Sequence, residues 1–497
     1  MKYLIKYSPE MTTKSRIVRI RFCRQLRKNL ARILREQLGL VDSATNPHHP
    51  GCIRVEAFWD NLQIHLPDEH DALCWRVEDV LASTSGVWSF SRVRNHALGS
   101  MDDLLQKVLE IYTERLQGKT FAVRCHRTGP HPFTSMDVER FVGSGILAAT
   151  GAAGVQLKHP EVVVALEIRN NDLFVVDEAR DGIGGFPLGT QDSVVSLISG
   201  GFDSAVSTFL AMKRGMRSHF LFFNLGGRDH ELAVKELSFY LWNRFGSSHH
   251  VFFITVPFEG VVREILEKVD NAQMGVVLKR MMLRAATEVA ESLDAEALVT
   301  GEAVAQVSSQ TLVNLAVIDE VCPKLVLRPL VMSDKQDIID MARKIGTEDF
   351  SALIPEYCGV ISVRPTTRAR LHRIQREEAR FDFSVLEQAL AGRQAEDISS
   401  LADSAVDPAM APPVCQVAPA GALIVDIRHP DEEELAPLVA KGFEIKKIPF
   451  YRLSSEVVAW PRDQACWLYC GRGVMSRLHA SHLRHEGWLQ VGVYQPD

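Results

Sequence analysis

A glycine-bearing loop at residues 199–204, Ser-Gly-Gly-Phe-Asp-Ser, lies between an apolar strand and a helix. Paired glycines let the backbone turn tightly and direct several N–H groups into one concavity. The following helix adds the positive end of its dipole. Such a loop can bind phosphates. It lacks the Gly-Lys-Ser/Thr ending of a Walker A motif, which disfavours a kinase- or GTPase-like enzyme. A loop that only caps the helix is the alternative interpretation.

The same loop resembles the pyrophosphate loop of ATP pyrophosphatases, which cleave ATP between the α- and β-phosphates and adenylate a substrate oxygen. The resemblance implies ATP and Mg²⁺ as ligands. Asp203 would then help to hold the magnesium–pyrophosphate, and Ser199 and Ser204 would bond phosphate oxygens. Gly200 and Gly201 would provide the turn.

Basic residues outside the loop are candidates to neutralise phosphate charge. Lys279 and Arg280 are adjacent in a Met-rich segment, and Lys335 opens a predicted helix. The helix dipole mildly disfavours a cation at that position, which favours a functional reason for Lys335. The polar stretch from Gly301 to Thr311 follows a predicted strand. Polar residues at the end of a strand are suited to contact a nucleotide or a substrate. The alternative interpretation is that they only cap the core.

Two cysteines lie in loops that could carry sulfur chemistry. Cys470 ends an apolar strand and begins the segment Cys-Gly-Arg-Gly-Val-Met-Ser-Arg, where Arg472 and Arg477 flank it and a helix follows. Loop amides, a helix N-terminus and arginines favour a thiolate, and they would also stabilise a persulfide anion. Cys358 lies beside a glycine in the polar loop Pro-Glu-Tyr-Cys-Gly, although most lone cysteines are small buried hydrophobes. The sequence therefore predicts Cys470 as a sulfur carrier.

The elements that must position these residues alternate between strand and helix from Gly182 onward. This alternation predicts a doubly wound parallel sheet, whose ligands bind at the carboxyl ends of the strands. A Ser-, Ala- and Pro-rich stretch near 396–421 is typical of an exposed linker, and the last eighty residues predict a smaller α/β unit. The predicted helices of the large sheet span 205–214, 232–245, 261–269, 276–293 and 311–318.

The N-terminal segment is strongly basic. Eleven Lys and Arg residues fall within the first forty positions, opposed only by Glu10 and Glu36. Apolar residues recur at three-to-four spacing from Lys14 to Leu38, which predicts an amphipathic helix with a basic outer face. Because the whole chain carries a net charge of −6, this local excess favours contact with a phosphate backbone. A solvated charged helix is the alternative.

Short α+β elements follow this helix. Alternating segments predict hairpins that turn at Asp60-Asn61 and at Asn170-Asn171. Between them the pattern predicts a helix at 70–83, a strand at 119–127, and a helix that begins with Ser135 as its N-cap and ends near Ala153.

Composition narrows the classes of protein. A chain of 497 residues with 46% hydrophobic and 24% charged residues is typical of several globular domains. No apolar run is long enough to cross a bilayer and the N-terminus has no signal-peptide pattern, so we expect no membrane partner and a cytoplasmic location. The nine cysteines contain no CxxC pair, so no metal site is predicted.

Taken jointly, four motifs resemble those of the bacterial tRNA 4-thiouridine synthetases that also serve thiamine biosynthesis and end in a rhodanese domain. They are SGGFDS, QMGVVLKRMM, PEYCGVIS and YCGRGVMSRL. The resemblance implies a multidomain α/β and α+β protein, with a ferredoxin-like N-terminal domain at 1–72 and a THUMP RNA-binding domain at 73–179. A Rossmann-like ATP pyrophosphatase (PP-loop) domain would follow at 180–395, a linker at 396–417 and a rhodanese-like domain at 418–497.

The resemblance also implies a reaction. ATP adenylates the carbonyl oxygen of the uridine at the eighth position of tRNA, and a cysteine desulfurase loads a persulfide onto Cys470. Sulfur then replaces the activated oxygen, directly or as released sulfide, and Cys358 forms a disulfide with Cys470. ATP contacts map onto Leu197, Ile198, Lys279, Gly301 and Gln310, and Asp203 and Lys335 map onto residues needed for adenylation. The terminal domain would also pass sulfur to the sulfur-carrier protein of thiamine synthesis.

Alternatives remain at this stage. An amide-forming ligase would have no use for Cys470, and a tRNA 2-thiolation enzyme would more often carry CxxC pairs. A non-catalytic tRNA-binding protein would leave Asp203 and Cys470 dispensable. One departure from the family is an insertion-like stretch, 46–51, expected as a surface loop. The oligomeric state stays open, with a homodimer among the alternatives.

Overall fold

The computed structural model describes residues 2–46, 52–67, 73–225, 227–354, 364–401, 412–419, 421–428, 433–434, 436–440, 442–462, 464–471 and 474–496. The chain forms two compact units, Met1–Thr190 and Gln191–Asp497. Cys358 and most of the stretch 46–51 lie outside the described residues, so the predictions made for them are not addressed by the fold. Within the described residues, none of the helices combines the length and the apolarity that a bilayer crossing needs.

The first unit contains nine strands and five helices among its described residues. The strands are β1 (Lys2–Tyr7), β2 (Val41–Asp42), β3 (Cys52–Ala57), β4 (Asn61–His65), β5 (Val87–Ala97), β6 (Thr120–Thr128), β7 (Gly154–Val155), β8 (Val162–Arg169) and β9 (Asp172–Asp181). The helices are α1 (Pro9–Thr12), α2 (Arg16–Leu38), α3 (Cys74–Ser83), α4 (Met101–Tyr112) and α5 (Ser135–Ala149).

One continuous sheet runs through this unit in the order β2-β3-β4-β1-β5-β9-β8-β6-β7. Helices α2 and α3 share one apolar core with β1, β3, β4 and β5, which includes Leu26, Val77 and Phe90. The predicted boundary at residue 72 is therefore wrong, because it separates α3 and β5 from the core that they complete. A linear pattern cannot reveal this, since β5 pairs with β1, about eighty residues earlier.

The predicted start of the nucleotide-binding region at residue 180 is also too early. Strand β9 continues to Asp181, and Phe186 packs into the core of α2 and α3, with its ring 5.5 Å from that of Phe22. The glycine-rich segment 182–189 thus belongs to the first unit. Composition does not show which domain the apolar residues of such a segment pack against.

Both predicted hairpins and the basic helix are present in the first unit. Helix α2 begins at Arg16 and ends where Gly39 adopts a φ of +68°, a conformation that favours glycine. For α5 the predicted cap is displaced by one residue. Thr134 is the N-cap, and its side chain and that of Asp137 form a reciprocal capping box, so Ser135 is already helical. The helix ends at Ala149, before the predicted Ala153.

The second unit begins with strand β10. Its strands are β10 (Ser193–Leu197), β11 (Arg217–Asn224), β12 (Phe252–Pro257), β13 (Ala297–Val299), β14 (Leu325–Leu327), β15 (Gln394–Asp397), β16 (Val414–Cys415), β17 (Leu423–Asp426), β18 (Ile445–Lys447), β19 (Cys466–Tyr469) and β20 (Val491–Tyr494). Its helices are α6 (Phe202–Lys213), α7 (Gly227–Leu241), α8 (Glu259–Lys268), α9 (Met274–Ser292), α10 (Leu312–Asp319), α11 (Lys335–Ile345), α12 (Glu348–Leu353), α13 (Leu371–Glu378), α14 (Phe383–Ala391), α15 (Phe450–Val457) and α16 (Val474–His485).

A six-stranded sheet with the order β14-β13-β10-β11-β12-β15 carries most of these helices. All neighbouring pairs are parallel except β12 with β15, so the predicted doubly wound parallel sheet is confirmed. Strands β10 and β13 are adjacent, which brings the segments that follow them to the same edge of the sheet.

A second, five-stranded parallel sheet forms from the C-terminal residues in the order β16-β20-β19-β17-β18. The predicted linker 396–417 is too long at both ends. Residues 394–397 pair with β12 and residues 414–415 pair with β20. Short edge strands of polar or mixed composition resemble linkers in sequence, because backbone hydrogen bonds rather than buried side chains hold them.

Candidate functional site

A cavity of about 470 Å³ opens at the carboxyl ends of β10, β11 and β13. This is the edge at which ligands of open parallel sheets bind. Most of the residues predicted to contact ATP lie in its lining, although their roles remain predictions. They are Leu197, Ile198, Ser199, Asp203, Ser204, Lys279, Gly301 and Gln310.

The phosphate-type loop has the shape that its glycines predict. Gly200 adopts a φ of +93°, and Gly201 is the N-cap of α6. The Ser199 N–H donates to Ser204 Oγ at 3.2 Å, and the Ser204 hydroxyl donates to the Gly201 carbonyl at 3.0 Å. These bonds close the loop on itself at the start of α6, where backbone N–H groups lack intrahelical acceptors.

Gly301 allows the segment after β13 to approach this loop closely. A Cβ atom at Gly301 would lie 2.6 Å from the Asp203 carbonyl carbon and 2.7 Å from the Ser204 nitrogen. Both are backbone atoms, which cannot move aside as a flexible side chain can. The two neighbouring strands therefore bring their following loops into direct contact only because residue 301 has no side chain.

Asp203 lies between two donors that come from distant segments. Lys335 Nζ lies 2.8 Å from Oδ1, and the Gln306 amide donates to Oδ2 at 3.1 Å. Lys335 is the first residue of α11 and Asp203 is in the first turn of α6. Lys335 does not line the cavity itself, but it places a positive charge on the carboxylate that does.

Glu302 is a charged residue of the cavity wall whose importance the sequence did not reveal. Its carboxylate accepts from Arg328 Nε at 2.8 Å and from the Thr300 hydroxyl at 3.0 Å, and Lys279 Nζ lies 3.8 Å away. Burial alone would raise the pKa of Glu302, but Lys279 and Arg328 outweigh it and hold the pKa below its ordinary value. The carboxylate is therefore charged at neutral pH and keeps Lys279 at the cavity.

Arg280 is buried in the protein interior and does not line the cavity, although the sequence made it a candidate to neutralise phosphate charge. It is only 1% exposed, its guanidinium donates to both carboxylate oxygens of Glu378 at 2.6 and 3.0 Å, and it also pairs with Glu320. Lys279 and Arg280 are adjacent on α9 and so point to different sides of the helix. Sequence adjacency could not show which side faced the cavity.

His230 is a second residue that sequence reasoning missed. Its Nε2 lies 3.1 Å from the Ser199 carbonyl oxygen, and burial lowers the pKa of this imidazole. Because a carbonyl oxygen can only accept, Nε2 must carry the proton and the neutral ring donates to the loop. No local motif marks His230, which lies just before the helix that the sequence predicts at 232–245.

Cys470 lies in the C-terminal sheet, directly after β19. It is 8% exposed, and its Sγ atom lies 3.4 Å from both the N–H nitrogen and the hydroxyl oxygen of Ser476, near the start of α16. Of the two predicted flanking arginines, Arg472 lies outside the described residues, and Arg477 donates to Gln495 Oε1 at 3.4 Å. A strand, a thiol and a helix N-terminus thus adjoin as predicted.

Two family models match the chain. The model described as Thiamine biosynthesis protein (ThiI) matches residues 189–383, and the THUMP domain model matches residues 99–176. The second range starts well after the predicted residue 73. This agrees with the fold, in which residues 74–90 complete the preceding core.

Relatives match along the whole length. The tRNA sulfurtransferase of Saccharophagus degradans is 48% identical over 496 residues and that of Pseudomonas aeruginosa is 50% identical over 496 residues, each covering 100% of this chain and 100% of the relative. The crystal structure of a 4-thiouridine synthetase–RNA complex with bound ATP has a TM-score of 0.68 at 24% identity, covering 80% of this chain and 99% of that chain. The likeness to that structure describes the fold. The full-length identity shows more: the chain belongs to the tRNA sulfurtransferase family of enzymes.

Proposed function

We propose that this chain transfers sulfur from a persulfide on Cys470 to the uridine at the eighth position of tRNA, giving 4-thiouridine. The reaction uses ATP and passes through an adenylated uridine. The observation that carries the proposal is the convergence of the 199–204 loop, the Asp203–Lys335 pair and Lys279 at one cavity. The structural likeness to a 4-thiouridine synthetase with bound RNA and ATP supports the same substrates.

The cavity has the features that a nucleoside triphosphate requires. Apolar residues such as Leu197 and Met282 line it together with Ile198 and Gly301, which suits a nucleobase and sugar. The α6 N-terminus and Lys279 supply positive charge for the phosphates. A Cβ at Gly301 would collide with the backbone of Asp203 and Ser204, so the glycine keeps these two segments together at the cavity wall.

Mg²⁺ fits this site through one carboxylate. The described residues contain no cluster of three or more His, Cys, Asp or Glu side chains that could hold a metal alone. Mg²⁺ in nucleotide sites commonly takes one or two carboxylates together with phosphate oxygens and water. Asp203 would supply the carboxylate, with Lys335 and Gln306 fixing its orientation.

In the activation step, ATP supplies the adenylyl group that turns the uridine carbonyl oxygen into a leaving group. The chain's own contribution is electrostatic. The α6 N–H groups and Lys279 would hold phosphate charge, and Asp203 would hold the magnesium ion. Lys335 acts through its ion pair with Asp203, which keeps that carboxylate in position. Glu302 holds Lys279 in place without removing it from the cavity.

The sulfur half-reaction rests on Cys470 and Cys358. A cysteine desulfurase transfers its sulfane sulfur to the Cys470 thiolate. The terminal sulfur of the resulting persulfide then displaces the adenylate from the uridine. Attack by the Cys358 thiolate on Cys470 Sγ releases 4-thiouridine and leaves a disulfide, which a dithiol reductant resets with two electrons. We assign the five-stranded parallel sheet, whose strand β19 ends directly before Cys470, to a rhodanese-like domain. This domain would also pass sulfur to the sulfur-carrier protein of thiamine synthesis.

The first unit is proposed to bind the tRNA. Its β1-α2-β3-β4-α3-β5 half has the strand order β3-β4-β1-β5, which supports a ferredoxin-like assignment. Helix α2 presents exposed cations along one stripe, Arg21, Arg24, Lys28 and Arg35, over a length of roughly 21 Å. Regularly spaced cations of this kind suit a phosphate backbone.

The test follows the two half-reactions separately. Full-length enzyme with labelled ATP and tRNA should release pyrophosphate before any sulfur donor is added. Orthophosphate as the product would overturn the adenylation step. With a desulfurase and labelled cysteine, peptide mapping should then find the label on Cys470. Label on Cys358 would reverse the two roles, and thiolation that proceeds in Cys470→Ala would exclude the persulfide route.

A further inference from the structure

The geometry points to Ser476 as a catalytic residue whose hydroxyl and backbone N–H together stabilise the Cys470 sulfur as an anion. The inference rests on the proposed function of Cys470 and goes beyond it, because it names the groups that activate the sulfur. Ser476 Oγ and Ser476 N each lie 3.4 Å from Cys470 Sγ, a normal distance for hydrogen bonds to sulfur.

The backbone contact has only one possible direction. An N–H group can donate but cannot accept, so Cys470 Sγ accepts from Ser476 N. Ser476 is the third residue of α16, and the first N–H groups of a helix have no intrahelical acceptor. The sulfur therefore takes the place of a helix cap and lies at the positive end of the dipole.

The hydroxyl contact changes direction with the charge of the sulfur. In the thiol form, S–H can donate to Ser476 Oγ. In the thiolate form the sulfur has no hydrogen, so the Ser476 hydroxyl must donate to it. Loss of the thiol proton thus converts this contact into a second charge-assisted hydrogen bond to the anion.

Burial increases the effect of both contacts. Ser476 is 0% exposed and Cys470 is 8% exposed. Hydrogen bonds to an ion strengthen where water is excluded, and a buried thiolate without donors would be costly. Ser476 is therefore placed to make the anion available inside the fold, where solvent does not stabilise it.

The step that Ser476 assists is the loading of sulfur. The Cys470 thiolate attacks the outer sulfur of a donor persulfide, forming a new S–S bond at Cys470. The S–S bond of the donor breaks, and the donor cysteine leaves as a thiolate that takes a proton from solvent. No net oxidation or reduction occurs. The loading rate at a fixed pH follows the fraction of Cys470 that is thiolate.

The test compares Ser476→Ala with wild type in the full-length enzyme. Ser476→Ala removes the hydroxyl donor and keeps the N–H donor. We expect the rate of Cys470 alkylation by iodoacetamide, followed by peptide mass spectrometry, to fall threefold to tenfold near pH 7. The pH profile should move to higher pH and the wild-type rate should return at pH 10. A role in packing alone would lower the rate equally at every pH.

Two further variants keep the test decisive. Ser481→Ala removes another buried hydroxyl five residues farther along α16 and should leave the alkylation profile unchanged. Ser476→Thr keeps a hydroxyl and should restore most of the rate at neutral pH. An unchanged profile in Ser476→Ala would overturn this inference while the label on Cys470 still supported the proposed function. Absence of label on wild-type Cys470 would overturn the proposed function itself.

Discussion

Lys335 Nζ lies 2.8 Å from Asp203 Oδ1, although 132 residues separate them. The pair joins the first turns of α11 and α6 at the edge of the cavity. Lys335 is 42% exposed in its side chain, and exposed ion pairs contribute only ~0–1 kcal/mol to stability. A stabilising role is therefore too small to explain the contact, and electrostatic control of a ligand at Asp203 explains it better.

The first prediction separates these roles. Asp203→Asn and Lys335→Met should each lower tRNA thiolation and pyrophosphate release by ~100-fold or more, because preorganised charge at the phosphates is lost. Each should change the melting temperature only slightly. The charge-swapped double variant Asp203→Lys with Lys335→Asp recreates an ion pair in reverse and should remain inactive. Recovery of activity in the swap would show that the pair matters only to the fold.

The second prediction concerns Gly301. In Gly301→Ala the new Cβ would meet the backbone of Asp203 and Ser204 at 2.6 and 2.7 Å, so the phosphate-type loop must shift. We expect ATP binding, measured by equilibrium dialysis, to weaken by about tenfold or more, and a binding constant within twofold of wild type would contradict this. Gly143→Ala in α5 is the matched control, because its Cβ meets nothing closer than 3.9 Å.

The third prediction concerns the charge of Glu302. Glu302→Gln leaves Arg328 and Lys279 without this carboxylate, so the second unit should lose about 3–5 kcal/mol of unfolding free energy at pH 7 in urea titrations. Because the folded-state pKa of Glu302 lies below 4.5, its contribution is present above that pH and is lost as the pH falls through the folded pKa. The difference in unfolding free energy between wild type and Glu302→Gln should therefore become smaller in acid.

Glu348→Gln provides the control for that measurement. Glu348 also accepts two hydrogen bonds from an arginine, Arg343, at 2.8 Å each, but on an exposed surface. Its replacement should cost less than ~1 kcal/mol. Equal losses in the two variants would show that burial of Glu302 does not strengthen its ion pairs.

The fourth prediction is a pH dependence set by Glu236 of α7. Burial raises the pKa of Glu236 to about 8, and His479 Nε2 of α16 lies 3.5 Å from its carboxyl. A carboxyl whose folded pKa is raised stays protonated when the unfolded one has ionised, so stability should fall as the pH rises from 4.5 to about 8. Glu236→Gln should remove this fall, as followed by melting temperatures at pH 5.5 and 8.5. Glu267→Gln, at an exposed position, should retain the fall in stability with pH. A fall as large as that of wild type in Glu236→Gln would show that Glu236 does not cause it.

The fifth prediction tests the basic stripe of α2. Arg24→Gln with Lys28→Gln removes two exposed cations, so tRNA affinity should fall and the slope of log K against log salt should decrease by roughly 1.4–1.8. The control replaces two exposed lysines of the second unit, Lys268 and Lys344, by glutamine. An equal change of slope in both double variants would show that tRNA contacts are not concentrated on α2.

Much of the local structure could be predicted from the sequence alone. The basic helix, the two hairpins and the parallel sheet followed from periodicity and turn residues, because these signals arise between neighbours along the chain. The strand–loop–helix at 199–204 followed in the same way, because its glycines and the hydrogen bonds between Ser199, Gly201 and Ser204 are all local. The arrangement of a strand, Cys470 and a helix also followed from the sequence, since the strand end and the helix start lie next to this residue in the chain.

The tertiary structure alone decided which distant residues meet. Asp203 with Lys335, Glu302 with Arg328, and His230 with Ser199 are contacts between segments that no local period connects. The same holds for Arg280, which pairs with Glu378 inside the protein although its neighbour Lys279 lines the cavity. The domain boundaries failed for this reason too. Strand pairing and core packing join segments far apart in the chain, and their free energy depends on the whole fold.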